Sequence, residues 1–220
     1  MRIAALIVLF LIVIGFSPRF TCIFHCWITS SFLLASSAVD GGDQIASNLS
    51  LLILPICLMD NRKWHWAKSI AADTPLIKNM AAYFVFGLVR LQIAIIYFHS
   101  AVGKLDVEEW VNGTATYYWL NNTFFRMPKW SEPVLMPILS HSFGVTIMSY
   151  GAIILELSLF LCLFASERLK KYMLTFGILF HFSILILHGL VSFFFSISAG
   201  LILYLYPVSK TIDFKNIFKN

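Results

Sequence analysis

Long apolar runs, separated by short charged or turn-forming segments, dominate the sequence. A hydrocarbon core about 30 Å thick needs roughly 20 apolar residues per helix, so each run of about that length predicts a membrane-spanning helix. The predicted spans are 20–39, 44–59, 80–103 and 143–165, and the stretch 172–207 is long enough for two spans that break at His188-Gly189. The pattern predicts an all-α, polytopic transmembrane helical bundle of about six or seven spans.

The N-terminal 18 residues are ambiguous. An apolar run over 1–16 is followed by Ser17-Pro18-Arg19, which superficially matches a secretory signal peptide but has no small-x-small cleavage site. We interpret residues 1–18 as a short or truncated first span of a single transmembrane domain that covers 1–220.

Composition supports a membrane protein and charge gives its orientation. The chain is 59% hydrophobic and 12% charged, against about 25% charged in a soluble domain, which excludes a cytosolic enzyme, a nucleic-acid module and a secreted disulfide scaffold. Eleven of the 16 lysines and arginines fall on one side of the predicted spans. The positive-inside rule then predicts a cell-membrane protein with residues 104–142 extracytoplasmic and the C-terminus cytoplasmic. The net charge of +5 reflects topology, so no nucleic-acid partner is expected.

Ionisable and amide side chains interrupt the predicted spans. Arg90 and Gln92 share one span, Glu156 lies in another, and His181 and His188 are seven residues apart on one helical face. Ionisable groups at membrane depth cost several kcal/mol (about 2.5–3.5 on the lenient scale) and usually face a bundle interior or a cavity. Two interpretations stay open: a polar site that includes an Arg90–Glu156 ion pair, or a structural polar clamp between helices.

Lys104 ends the span 80–103 and is followed by Asp106 and other acidic residues. A lysine at this boundary could snorkel to the headgroups, or it could sit in a dry pocket, where desolvation would yield a neutral amine able to act as base or nucleophile. Trp110, a glycine turn at Asn112-Gly113 and the aromatic run 114–119 predict an amphipathic segment that covers an outward-facing cavity. The cysteines show no zinc-ligand spacing, so no metal is expected.

The sequence YFHSAVGKLDVEEWVNG, residues 97–113, resembles the signature of the HTTM (horizontally transferred transmembrane), or vitamin K-dependent gamma-carboxylase-like, family. The resemblance continues in order over roughly 19–206. It is carried by five further motifs: the Gly-Gly-Asp turn with Asp43, LMDNRKWHW at 58–66, Arg90-Leu-Gln92, Glu156-Leu157-Ser158, and LFHFSILILHGLVSFFFS at 179–196.

Size and the Gly-Gly-Asp turn favour the subgroup that resembles sporulation-delaying protein B of antimicrobial peptide systems. That resemblance implies maturation of a secreted toxin peptide from its precursor, together with a small accessory protein. The carboxylase branch instead implies a carboxylase- or epoxidase-like enzyme with a base lysine, which here is Lys104, and a quinone cofactor such as reduced vitamin K or menaquinone. A non-enzymatic export or immunity partner is a third possibility. The candidate catalytic residues are Lys104 and His181, and the candidate cavity or structural residues are Arg90, Gln92, Glu156, Asp43, Asp106 and Trp110.

Overall fold

The computed structural model describes residues 2–67 and 76–207, and within these ranges the regular structure is helical. The helices in chain order are α1 (Arg2–Val13), α2 (Pro18–Ala35), α3 (Gly41–Leu58), α4 (Leu76–Lys104), α5 (Glu108–Val111), α6 (Ala115–Asn121), α7 (Glu132–Leu139), α8 (Ser142–Leu161), α9 (Glu167–His188) and α10 (Val191–Leu205). A 3-10 turn over Cys162–Phe164 extends α8. The predicted all-α class is confirmed.

Among the described residues, four helices are long and apolar enough to cross a membrane: Gly41–Leu58, Leu76–Lys104, Ser142–Phe164 and Glu167–His188. The apolar helices α1 and α10 are shorter. The predicted break in the last apolar stretch is confirmed, since α9 ends at His188 and Gly189 adopts a left-handed conformation with φ 72°. A glycine in this conformation is a common helix stop. The prediction of six or seven spans goes beyond the four helices found.

Helix α4 is the centre of the bundle and packs against α3, α8 and α10. Its buried face carries Val89, Ile93, Ala94 and Tyr97. These residues recur at the three- and four-residue spacing of one helical face, and they join side chains from α3, α8 and α10 in the main hydrophobic core.

The Gly-Gly-Asp turn docks the start of α3 onto the start of α10. Asp40 and Asp43 form a reciprocal capping box, and the Asp40 carboxylate accepts a hydrogen bond of 2.6 Å from the Ser192 hydroxyl. A Cβ on Gly42 would lie 2.4 Å from the Cα of Phe193, so only glycine fits at this contact. Asp43 is therefore a helix-capping residue.

At the other end of the bundle, the segment after α3 packs on the turn between α1 and α2. The Ser17 amide donates to the Lys63 carbonyl at 2.7 Å, and the Trp66 indole donates to the Ile14 carbonyl at 3.0 Å. Arg62 donates two side-chain hydrogen bonds to Asp60. These hydrogen bonds and the positive charge lower the pKa of the Asp60 carboxyl.

The segment between α4 and α8 folds back over the helix ends as α5, α6 and α7. Gly113, with φ 72°, turns the chain between α5 and α6, as the sequence predicts. The Thr116 amide donates to the Ser149 hydroxyl of α8 at 3.1 Å, and the His188 ring bonds the Phe125 carbonyl at 2.6 Å. These hydrogen bonds, together with one from the Tyr150 hydroxyl to the Val111 carbonyl, hold the segment against α8 and α9.

Candidate functional site

A cavity of about 820 Å³ lies among α3, α4, α8, α9 and α10, with residues of α5 and α6 at one side. Most of its wall is apolar or aromatic. The polar side chains on the wall are Gln44, Asn48, Gln92, Tyr97, Ser100, Lys104, Thr116, Glu156, His181, Ser183 and His188. A mostly apolar cavity with a few convergent polar groups is the usual form of a small-molecule or peptide site.

The main polar cluster of the cavity joins Lys104 and Ser100 of α4 to Glu156 of α8. The Lys104 ammonium lies 2.8 Å and 2.6 Å from the two Glu156 carboxylate oxygens. It also donates to the Ser100 hydroxyl at 2.8 Å and to the Ser100 carbonyl at 3.1 Å. The Ser100 hydroxyl in turn donates to Glu156 Oε1 at 3.0 Å. The three side chains form one closed, charge-neutral network.

Helix geometry explains why these groups meet. Tyr97, Ser100 and Lys104 are spaced at i, i+3 and i+7, so they share one face of α4. Side chains in an α-helix lean toward its N-terminus, which carries the Lys104 ammonium back along α4 to Ser100. The side chains of Lys104 and Glu156 are 19% and 7% exposed, so the pair is largely withdrawn from solvent.

A second polar contact crosses the cavity wall between α4 and α9. The Tyr97 hydroxyl lies 2.9 Å from Nε2 of His181, and both residues are buried. His181 Nδ1 is buried without a hydrogen-bond partner among the described residues. We assign the Tyr97 hydroxyl as the donor to Nε2, and Nδ1 as the protonated ring nitrogen. In the opposite tautomer Nε2–H would donate to the tyrosine oxygen, which would leave the hydroxyl proton of Tyr97 unpaired in addition to Nδ1.

Trp110 and Gln92, which the sequence analysis also selects, both line the cavity. The Trp110 ring lies over the Lys104 ammonium, 5.2 Å from nitrogen to ring centroid, which is within the range of a cation–π interaction. Asp106 is exposed in the turn after α4 and lies outside the cavity wall.

The Arg90–Glu156 ion pair considered from the sequence is wrong, because Glu156 pairs with Lys104. Arg90 is absent from the cavity wall and instead donates to the Tyr206 carbonyl at 3.4 Å. It lies 14 positions before Lys104 on α4, which corresponds to about 21 Å along the helix axis. Arg90 is a contact to the end of α10 and does not belong to the polar cluster.

The site contains polar residues that the sequence pattern does not single out, among them Tyr97, Ser100, Gln44 and Asn48. The spacing of Tyr97 and Ser100 from Lys104 is visible in the sequence and could have revealed both. Gln44 and Asn48 are four residues apart, a spacing that places them on one face of a helix. Their orientation toward the cavity depends on how α3 packs against α4 and α10.

The quinone that the family resemblance implies fits the apolar walls of the cavity, but it does not fit the lysine. An ammonium has three N–H donors, and the Lys104 ammonium already has four acceptor atoms on Glu156 and Ser100 within 3.1 Å. No N–H donor remains for the oxygen of an oxidised quinone, and an ammonium has no lone pair to accept the hydroxyl proton of a reduced one. We therefore derive no step through a quinone.

Fold and site together define an all-helical membrane protein with a buried polar cluster at the wall of a large apolar cavity. The HTTM domain model matches residues 2–208, so the chain belongs to the HTTM domain family. It is 35% identical to the sporulation-delaying protein SdpB of Bacillus subtilis (strain 168) over 96% of this chain. It is also 33% identical to the uncharacterized protein YitO of the same strain over 98% of this chain.

The chain spans 65% of the length of SdpB and 70% of the length of YitO. No solved structure gives a significant match to the chain. The similarity to SdpB supports a membrane protein of a sporulation-delaying type of system.

Proposed function

We propose that this protein is required for maturation of a secreted, sporulation-delaying-type toxin peptide, and that it acts with a small accessory protein in the cell membrane. The observation that carries the proposal is the 35% identity to SdpB along nearly the whole chain. The Lys104–Ser100–Glu156 cluster at the cavity wall supplies groups that can act on a bound peptide.

The proposed orientation places the cavity end of the bundle outside the cytoplasm, where a secreted peptide is processed. Lys104 lies at this end, with the segment 104–142. The contacts of Lys78 with Met59 and of Arg19 with Asn61 gather basic residues at the opposite end of the bundle. Arg62, Lys63, Arg168, Lys170 and Lys171 lie in segments that flank the same helix ends. This segregation of charge supports a cytoplasmic assignment for that end.

Within the proposed site, Lys104, Ser100 and Glu156 work as one unit. The Ser100 hydroxyl accepts a hydrogen bond from Lys104 and donates one to Glu156, so it can pass a proton between the two charged groups. Withdrawal of the cluster from water strengthens each of these interactions. The cluster can therefore exchange a proton with a peptide group held beside it.

The test replaces Lys104 in a strain that produces the toxin. Lys104→Ala is expected to abolish mature toxin in the culture medium while the protein remains in the membrane, because the carboxylate of Glu156 loses its counter-charge. Lys129→Ala is the matched control, since Lys129 is exposed in the segment between α6 and α7 and should leave toxin yield unchanged. Wild-type toxin yield from the Lys104→Ala strain would contradict the proposal.

Mass spectrometry of the peptide in cells and in the culture medium separates a maturation role from an immunity role. A maturation role predicts that the Lys104→Ala strain accumulates an unprocessed or unmodified precursor. An immunity role instead predicts normal peptide and a strain that is killed by its own toxin.

A further inference from the structure

Three carboxamide side chains line the cavity and have no hydrogen-bond partner among the described residues. Gln44 and Asn48 lie on one face of α3, Gln92 lies on α4, and all three belong to the cavity wall. None of the three side chains forms a hydrogen bond to another residue within 2–67 and 76–207. Gln44 and Asn48 are exposed and Gln92 is half-buried, so their carboxamide groups are free to form hydrogen bonds with a ligand that enters the cavity.

The chemistry of the carboxamide restricts that ligand. Each side chain presents two N–H donors and one carbonyl acceptor. A ligand whose polar atoms are only acceptors, such as a quinone, would leave the carbonyl oxygens of Gln44, Asn48 and Gln92 unpaired. A peptide backbone presents donors and acceptors alternately along its length, so it can satisfy both halves of each amide.

The charge balance of the cavity also favours an uncharged peptide ligand. Lys104 and Glu156 neutralise each other, and the lysine has no N–H left for an anionic ligand. Each carboxylate offers about four lone-pair sites, and Glu156 uses three of these for Lys104 and Ser100. Glu156 can therefore accept one more hydrogen bond from a neutral N–H donor, which again fits a peptide amide.

The volume of the cavity and its wall residues indicate which ligand side chains would fit. A cavity of about 820 Å³ lies in the range of roughly 300–1,000 Å³ that holds small ligands, and it accommodates a segment of a few residues. Ile96, Leu120, Met148 and Phe193 are among the apolar wall residues, so apolar side chains on the segment would be buried favourably.

We propose that the cavity binds an uncharged, extended segment of the precursor peptide by its backbone, through Gln44, Asn48 and Gln92. This inference rests on the proposed function and names the part of the substrate that the site recognises. Because the backbone is recognised, the site tolerates different apolar side chains.

The test measures binding to the purified full chain in lipid nanodiscs. The probe is the fluorescently labelled hexapeptide acetyl-(Val-Ala)3-amide, and its Kd is read by anisotropy. Asn48→Leu keeps the size of the side chain and removes its hydrogen bonds, so the Kd should rise by roughly 5- to 10-fold for each bond lost. Gln44→Met is a second variant at an exposed position, and it keeps the test open should Asn48→Leu fold poorly. Asn79→Leu, at the opposite and exposed end of α4, is the matched control and should leave the Kd unchanged.

A second probe replaces each alanine amide N–H of the hexapeptide by an ester oxygen. This depsipeptide should bind at least 5-fold more weakly to the wild-type protein, and its Kd should change less than that of the hexapeptide when Asn48 becomes leucine. Decylubiquinone serves as the competing ligand, and it should fail to displace the hexapeptide.

Absence of hexapeptide binding to the wild-type protein would overturn the inference. It would also be overturned if Asn48→Leu and Gln44→Met both bound the hexapeptide with the wild-type Kd, or if decylubiquinone displaced the hexapeptide. These results leave the proposed function intact if Lys104→Ala still abolishes toxin maturation in cells. Tight, amide-dependent binding combined with normal toxin yield from Lys104→Ala would contradict the proposed function alone.

Discussion

The buried Lys104–Glu156 ion pair makes a quantitative prediction about stability. Nitrogen and oxygen lie 2.6 Å apart, and the side chains are only 19% and 7% exposed. Removal of one partner from a buried pair leaves an uncompensated charge and typically costs about 3–5 kcal/mol. We therefore expect Lys104→Met and Glu156→Gln each to lower the free energy of unfolding by about 3 kcal/mol. The double variant should lose less than the sum, with a coupling of about 1–3 kcal/mol.

The assay is an SDS titration of the detergent-solubilised protein, followed by circular dichroism, for the wild type, both single variants and the double variant. Arg126 and Glu132 form a matched control pair, since their charged atoms lie 2.8 Å apart but their side chains are 59% and 32% exposed. An exposed pair should give a coupling below about 1 kcal/mol. A coupling for Lys104 and Glu156 no larger than that of the control pair would refute the reasoning.

Further predictions concern the fold, pH dependence and topology. Gly42→Ala should lower the unfolding free energy by about 1–3 kcal/mol or more, because its Cβ meets backbone atoms of α10. The Cβ of Gly87→Ala meets nothing within 4 Å, so this control should raise helix stability by up to about 1 kcal/mol. Unfolding in SDS compares the two variants. Since Arg62 lowers the pKa of Asp60, their contact should stabilise the fold above the ordinary Asp pKa of about 4. The stabilisation should fade as the pH falls through the lowered pKa. The plot of unfolding free energy against pH should therefore be flatter for Arg62→Ala than for the wild type between about pH 5 and 3, and parallel plots for the two proteins would contradict this. Asn122→Cys should react with a membrane-impermeant maleimide in intact cells, above the background of the natural cysteines; labelling only after lysis would contradict an extracytoplasmic segment.

Much of the fold could be predicted from the sequence, because each helix in a lipid environment requires its own continuous run of apolar residues. A run of apolar residues shows where a helix lies, and the glycines at positions 113 and 189 mark two turns that the structure contains. The apolar pattern predicts a span that starts at Gln44, whereas α3 begins at Gly41. The difference arises because Asp40 and Asp43 cap the helix, so polar residues that look like a loop supply its first turn.

The site could be predicted only in part, because a charge pattern shows that a partner is needed but not which one. Glu156 requires a cation, and both Arg90 and Lys104 are available on the same neighbouring span. The depth at which α8 crosses α4 decides between them, and this depth depends on packing over the whole bundle. Gln44 and Asn48 illustrate the same limit, since their spacing shows a shared face but not what that face meets.

The direction of α4 explains why Lys104 belongs to a pocket rather than to the headgroups. Side chains of an α-helix point toward its N-terminus, so a lysine at the N-terminal end of a span leans outward and snorkels readily. A lysine at the C-terminal end leans back toward the middle of the span. Lys104 is the last residue of α4, and its ammonium reaches back to the carbonyl and hydroxyl of Ser100. Because chain direction is a property of the sequence itself, a lysine that closes the C-terminal end of an apolar span favours a buried partner over the headgroups.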